Sequence, residues 1–131
     1  MAHIIVCLAG RAAEQEFCGN ISAHSGGNKR SDLAQATRIA YALEMSFGLG
    51  RQHPLVYREV DDIFAVLATN SRLSELIDDR LKVCYEAAHK IVVRHKKAIE
   101  YLAGCLFIWE TPDGDRLEDI LAKVSEIIET C

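Results

Sequence analysis

The sequence lacks several features that would fix its class at once. No apolar run approaches the roughly 18 residues that cross a bilayer as a helix. Ile4-Ile5-Val6-Cys7-Leu8-Ala9 is too short, and it follows a histidine rather than a basic cluster, so it makes a poor signal peptide. Proline occurs twice and tryptophan once in 131 residues. The five cysteines, at 7, 18, 84, 105 and 131, are odd in number and form no C-x-x-C pair. That argues against a disulfide framework or a zinc knuckle. Reduced thiols in a cytoplasmic domain are the expectation. No two of the five histidines stand four apart, so there is no H-x-x-x-H and no H-E-x-x-H. Basic charge is not in excess. The formal net charge of −4 gives no general attraction for nucleic acid or acidic lipid. The one basic stretch, Arg94-His95-Lys96-Lys97, reads as a solvated helix face.

What is present points to a globular all-α chain. Half the residues are apolar and 26% are charged, a balance that buries a core. The length suits a single helical domain over residues 1–131. Ile4, Ile5, Leu8 and Ala12 share one side of a first helix, about residues 3–17, which Cys18-Gly19-Asn20 should stop. Residues 19–30, rich in Gly, Asn and Ser, read as loop. Ser31 then offers a hydroxyl cap and Asp32 a first-turn carboxylate. Leu33, Ala36, Ile39, Ala40, Leu43 and Phe47 form the buried stripe of that second helix, and Gly48 and Gly50 end it. Residues 51–60, with Pro54, should cross the surface extended. Apolar spacing returns at Ile63, Val66 and Leu67. Thr69-Asn70-Ser71 breaks it and can cap the next helix. From Arg72 to Trp109 the only helix breaker is Gly104. A single helix of that length is improbable in a compact domain, so a break is expected near Arg94–Lys97. Pro112-Asp113-Gly114 makes a turn before a last helix through Leu117, Ile120, Leu121, Val124 and Ile128. The expectation is a bundle of about five helices.

The chemistry candidates are few. Asp32, read on spacing alone, is a favourable charge at a helix start. Glu14 can be an ordinary ion pair, with Arg11 three residues before it. His3 and Cys7 sit four apart on one helical face and could form half a metal site. His24, in the loop before Asp32, could approach a metal, or pair with Cys18 as a nucleophilic dyad; the bland reading is a solvated loop histidine. His89 and His95, six apart, fall on different faces of a helix. Phe47-Gly48-Leu49-Gly50 follows a helix and lacks the Lys-Ser/Thr of a phosphate loop. Gly10 costs a mid-helix position about 1 kcal/mol relative to Ala, which close approach of another helix would offset.

Two stretches carry a resemblance. Ala9-Gly10-Arg11-Ala12-Ala13-Glu14, and residues 22–50, from Ser22-Ala23-His24-Ser25-Gly26-Gly27 through Asp32-Leu33 and Ala36-Thr37 to Gly50, resemble the peptidase domain of the FtsH family of ATP-dependent AAA+ zinc metalloproteases. Tyr85-Glu86-Ala87-Ala88, Leu102, Leu106, Glu110-Thr111 and Gly114 are similar to its later pattern. The chain departs from the family at Pro112, where a leucine is usual, and at Gly26–Arg30, a longer and more basic loop.

The resemblance implies that this is the C-terminal part of such a peptidase domain, without its H-E-x-x-H helix. Asp32 would be the third zinc ligand of the intact parent. The two histidines and the general-base glutamate would come from the upstream helix. Glu14 would orient a ligand histidine as a neighbouring carboxylate. Zinc bound by two imidazoles and a carboxylate keeps a position for water and lowers its pKa toward ~7. The parent would degrade proteins fed by an ATP-hydrolysing AAA+ domain, as a homohexamer, with any membrane anchor in a segment outside this chain. No nucleic-acid partner is expected. The isolated chain, short of two ligands and the base, should be inactive and bind no zinc tightly. The competing reading is a non-catalytic helical assembly or binding module. Met1 directly before the first helix fits either an expressed fragment or a short natural protein. If the zinc helix packs on the first helix, its absence should expose the Ile4/Ile5/Leu8/Ala12 face or leave that helix poorly ordered, and drive self-association.

Overall fold

The computed structural model describes residues 1–20, 28–46, 57 and 60–130, and among them there are helices and no strands. The helices are α1 (Ala2–Cys18), α2 (Asp32–Met45), α3 (Ile63–Thr69), α4 (Ser71–Arg94), α5 (Lys96–Trp109) and α6 (Gly114–Glu129). The fold is an all-α bundle, with six described helices where the sequence gives about five. The difference is α3, a short helix separated from α4 by Asn70 alone. The expected glycine stop at Gly48 and Gly50, Phe47, and most of the extended stretch 51–60 lie outside the described residues.

Local chemistry explains most boundaries. Gly19 closes α1 at φ 72°, its N–H donating to the Gln15 carbonyl. A residue without Cβ adopts that left-handed conformation at no steric cost. The Ser31 hydroxyl caps α2 by accepting from the Ala34 N–H at 3.2 Å. Asp62 caps α3 through the Phe64 and Ala65 N–H groups, at 3.0 and 3.2 Å. Asn70 does the same for α4 through Leu73 N–H at 3.1 Å. The break between α4 and α5 falls at His95, with φ −104° and ψ 22°, inside the expected interval.

The chain divides into two compact units, residues 1–89 and 90–131. In the first, α1 packs on α2. Ile4, Ala12, Ala36 and Ala40 are fully buried, and Leu8 nearly so. The α4 line through Leu73, Ile77, Cys84 and Ala88 is buried as well. Side-chain contacts tie α4 to its unit. Arg80 donates to Glu44 on α2 at 2.5 Å. The Met1 sulfur lies 3.9 Å from Cys84 Sγ. Tyr85 donates to Gln15, and His89 Nε2 stands 3.5 Å from Glu16. In the second unit, α5 and α6 form an antiparallel hairpin around Ala98, Cys105 and Ile120, with Arg116 over the Trp109 ring at 5.4 Å.

Two expectations are corrected. The Ile4/Leu8/Ala12 face of α1 is covered, with Ile5 half-buried, and α1 is ordered as a helix. The small side chains Ala36 and Ala40 let α2 approach closely enough to bury it. The buried side of α2 is also rotated from the expected stripe. Ala34, Tyr41 and Glu44 are buried, while Leu33, Ile39 and Leu43 are half-buried.

Candidate metal centre

The site is built on the turn that leads into α2. The Asn28 side-chain oxygen accepts from Arg30 N–H at 2.7 Å, and its carbonyl accepts from the Ser31 hydroxyl at 2.9 Å. With the Ser31 cap in place, these bonds fix the direction in which the chain enters the helix. Asp32 is the first helical residue and its side chain is exposed. The positive end of the macrodipole stabilises a carboxylate there.

Asp32 lies within electrostatic reach of Cys7 on α1. The Cys7 thiol is pushed above its ordinary value, first by partial burial and then by the Asp32 carboxylate, so the two groups are electrostatic neighbours. His3, Cys7, Gly10 and Glu14 follow one another at steps of four, three and four and line one side of α1. Gly10 is open, with nothing within 4 Å of where a Cβ would stand. Glu14 is half-buried, and both it and Arg11 are engaged in interactions of their own.

On its other side the α2 start borders a cavity of about 430 Å³, lined by Asn28, Lys29, Ser31, Leu33, Ala34, Thr37 and Phe64. Arg38 lies over the Phe64 ring at 5.1 Å, and Lys29 reaches Asp62 at 3.6 Å. Nothing in the sequence marks Phe64 for this place. Its place beneath Arg38 is a contact across two helices that apolar spacing does not reveal.

The other candidates fare differently. His24 and the Gly26-Gly27 part of the loop lie outside the described residues, as does His53. Cys18 is exposed at the end of α1. His89 is engaged by Glu16 and His95 sits in the helix break. Among the described residues, no group of three or more His, Cys, Asp or Glu could hold a metal ion. Of the candidates, Asp32 presents a hard, exposed carboxylate donor at a fixed helix start.

Fold and site together define an all-α module that presents, among the described residues, the Asp32 carboxylate as its candidate metal donor. The model of peptidase family M41 matches residues 1–120, and the chain belongs to that family. It is 34% identical over 128 residues to the ATP-dependent zinc metalloprotease FtsH of Neorickettsia risticii, an alignment covering 92% of this chain and 19% of that protein. It is 32% identical over 137 residues to the chloroplastic ATP-dependent zinc metalloprotease FTSH 6 of Arabidopsis thaliana, covering 95% of this chain and 20% of the relative. For the FtsH of Chloroflexus aggregans the identity is 28% over 138 residues, with 96% and 21% covered. The chain thus spans about one-fifth of the length of these relatives. No helix among the described residues is long and apolar enough to cross a membrane.

Proposed function

We propose that residues 1–131 serve as one helical portion of the peptidase domain of an ATP-dependent zinc metalloendopeptidase, with Asp32 as its third zinc ligand. The observation that carries this is the exposed Asp32 carboxylate at a doubly braced, capped helix start, within a match to the family over residues 1–120. Two histidines from an H-E-x-x-H helix outside these residues would complete the metal site. Bound zinc supplies an activated water at neutral pH. This chain's part is to hold one negative oxygen donor in place. Glu14, on the line of α1 that includes Cys7, would orient a ligand histidine. A AAA+ domain elsewhere in the parent would hydrolyse ATP and deliver protein substrates to a hexameric peptidase layer. Any membrane anchor would belong to the parent. Alone, the chain holds one of three ligands and lacks the base, so it should neither retain zinc nor cleave peptides.

The test is a chimera in which residues 1–131 replace the matching fifth of the Neorickettsia risticii enzyme. It should degrade casein with ATP. Asp32→Asn should abolish cleavage and leave ATP hydrolysis in place, since the substitution removes a charged ligand far from the nucleotide. Glu14→Gln should weaken zinc retention by about 10–100-fold, read by metal analysis after dialysis. Full proteolysis by the Asp32→Asn chimera would sink the assignment. The exposed apolar residues of α5 and α6 favour the second reading, a non-catalytic assembly module. A folded, ATP-hydrolysing chimera that never cleaves, even with Asp32 intact, would support it.

A further inference from the structure

The cavity of about 430 Å³ beside the α2 start has the volume of a small-ligand site. It adjoins Asp32 through the chain itself. Ser31 and Leu33, which line it, are the sequence neighbours of Asp32, each about 3.8 Å away from Cα to Cα.

The chemistry of the wall says what fits. The Ser31 hydroxyl donates to the Asn28 carbonyl at 2.9 Å, and the Thr37 hydroxyl to the Leu33 carbonyl at 2.8 Å. The Asn28 side-chain oxygen accepts from Arg30 N–H at 2.7 Å. Those polar groups are thus engaged within the protein, while Leu33, Ala34 and Phe64 bring apolar surface to the wall. Leu33 and Phe64 are only half-buried, so that surface is reachable. Charges of both signs surround it. Lys29 reaches Asp62 at 3.6 Å, Arg38 lies over the Phe64 ring at 5.1 Å, and Arg30, Asp32 and Asp61 are exposed. The cations Lys29, Arg30 and Arg38 are matched by the carboxylates Asp32, Asp61 and Asp62, so the surroundings select no sign of charge. A charged occupant would leave water without a partner of its own. An uncharged apolar group would not.

We propose that this cavity receives a large apolar side chain of a peptide substrate, aromatic or branched aliphatic, from a residue adjoining the cleaved bond, and that Phe64, Leu33 and Thr37 determine that preference. This rests on the reading of Asp32 as a metal ligand and deepens it. A peptide bond presented to a metal on Asp32 carries side chains one residue to either side, the same spacing along a chain that separates Asp32 from the cavity wall. Lys29 on that wall belongs to the stretch in which this sequence departs from the family, so the cavity is in part this chain's own.

Two measurements test it, one of them independent of the metal. The 131-residue chain, free of zinc, is titrated with the acetyl amides of phenylalanine, leucine and alanine and followed by backbone amide chemical shifts. The first two should shift the Ala34, Thr37 and Phe64 signals and bind about tenfold or more tightly than the alanine compound. Thr37→Trp, which fills the cavity, and Phe64→Ala, which removes its wall, should each abolish the shifts with helical circular dichroism retained. The chimera carrying residues 1–131 is then given casein and ATP, and the product termini are read by mass spectrometry. Bonds flanked by Phe, Leu, Ile or Met should be cut about tenfold or more often than bonds flanked by Ala, Ser, Asp or Lys, and either substitution should flatten that ratio. No shift with the phenylalanine compound at its solubility limit would overturn the proposal. So would cleavage without the preference, or a preference that survives both substitutions, and Asp32 would keep its assignment in either case. Shifts in the chain together with a chimera that never cleaves would instead bring down the Asp32 assignment, and the peptide occupant with it.

Discussion

The α1–α2 pair and the α5–α6 hairpin are built alike, from two amphipathic helices each, yet they close differently. The buried side of α1 carries two large residues, and that of α2 carries several alanines. Ile4 and Leu8 of α1 and Ala36 and Ala40 of α2 are all buried where the two helices pack. In the hairpin the small partners are fewer. Ala98, Cys105 and Ile120 are buried, while Phe107 is 91% and Ile108 67% exposed. The helix starts differ in the same sense. Ser31, Asp62 and Asn70 each accept a backbone N–H in the first unit, whereas His95 and Asp113 make no side-chain cap bond in the second. Apolar content alone does not decide how well a helix pair buries itself. Close approach needs small residues at the crossing and satisfied ends.

The largest effect should come from the charge pair that the first unit buries. The Glu44 side chain is 2% exposed and that of Arg80 19%. Arg80→Ala removes this cation from the buried carboxylate and should cost about 3–5 kcal/mol in urea unfolding. Arg80→Met with Glu44→Leu should recover most of it, because both charges then leave the core together. A harmless Arg80→Ala would break the picture of a unit closed around that pair.

Next comes a direct contrast between the two helix pairs. Leu8→Ala should cost about 2–5 kcal/mol, as buried methylenes are lost and a cavity remains. Leu121→Ala, on the exposed edge of α6, should stay within about 0.5 kcal/mol in dilute solution. Equal costs would erase the contrast.

The caps give smaller numbers. Ser31→Ala should cost about 1 kcal/mol. Asp113→Ala should lose only the helix-dipole term, about 0.3–1 kcal/mol, and Asp32→Asn the same. Thermal melts of the three variants check the order.

The smallest effect is one of pH. The Asp62 carboxyl is held below its ordinary value of 3.8, chiefly by the Ala65 N–H, with Lys29 and the Phe64 N–H adding to it. A depressed carboxylate stabilises the fold above the ordinary value and loses that contribution as pH falls through its lower folded value. The stability gap between wild type and Asp62→Ala should therefore be constant near neutrality and shrink below about pH 3.8. A gap independent of pH down to 2 would show that the cap works without its charge.

Much of this architecture is legible in the residues. The all-α class, the left-handed stop at Gly19, the Ser31 cap and the break between Arg94 and Lys97 all follow from short-range chemistry. The side of α2 that faces inward does not. Apolar residues lie on both flanks of its stripe, and Glu44 looks like a solvent residue until Arg80, 36 positions away, supplies its partner. The covering of α1 escapes the sequence for a related reason. The family resemblance points to a missing neighbour, while that face is already covered within the first unit, where α1 packs on α2. Asp32 can be picked out by resemblance and by its place at a helix start. Its proximity to Cys7, and the cavity at Phe64, depend on helix packing that no local pattern encodes.

One consequence lies in the thiols. Cys84 is 1% exposed in the first unit and Cys105 6% exposed in the second, while Cys18 is open to solvent. Each unit thus contains its own internal clock. An alkylating reagent should mark Cys18 at once, and the other two only when the helices around them part. The masses of the labelled peptides over time would report separately how often each half of the chain breathes, without any engineered probe.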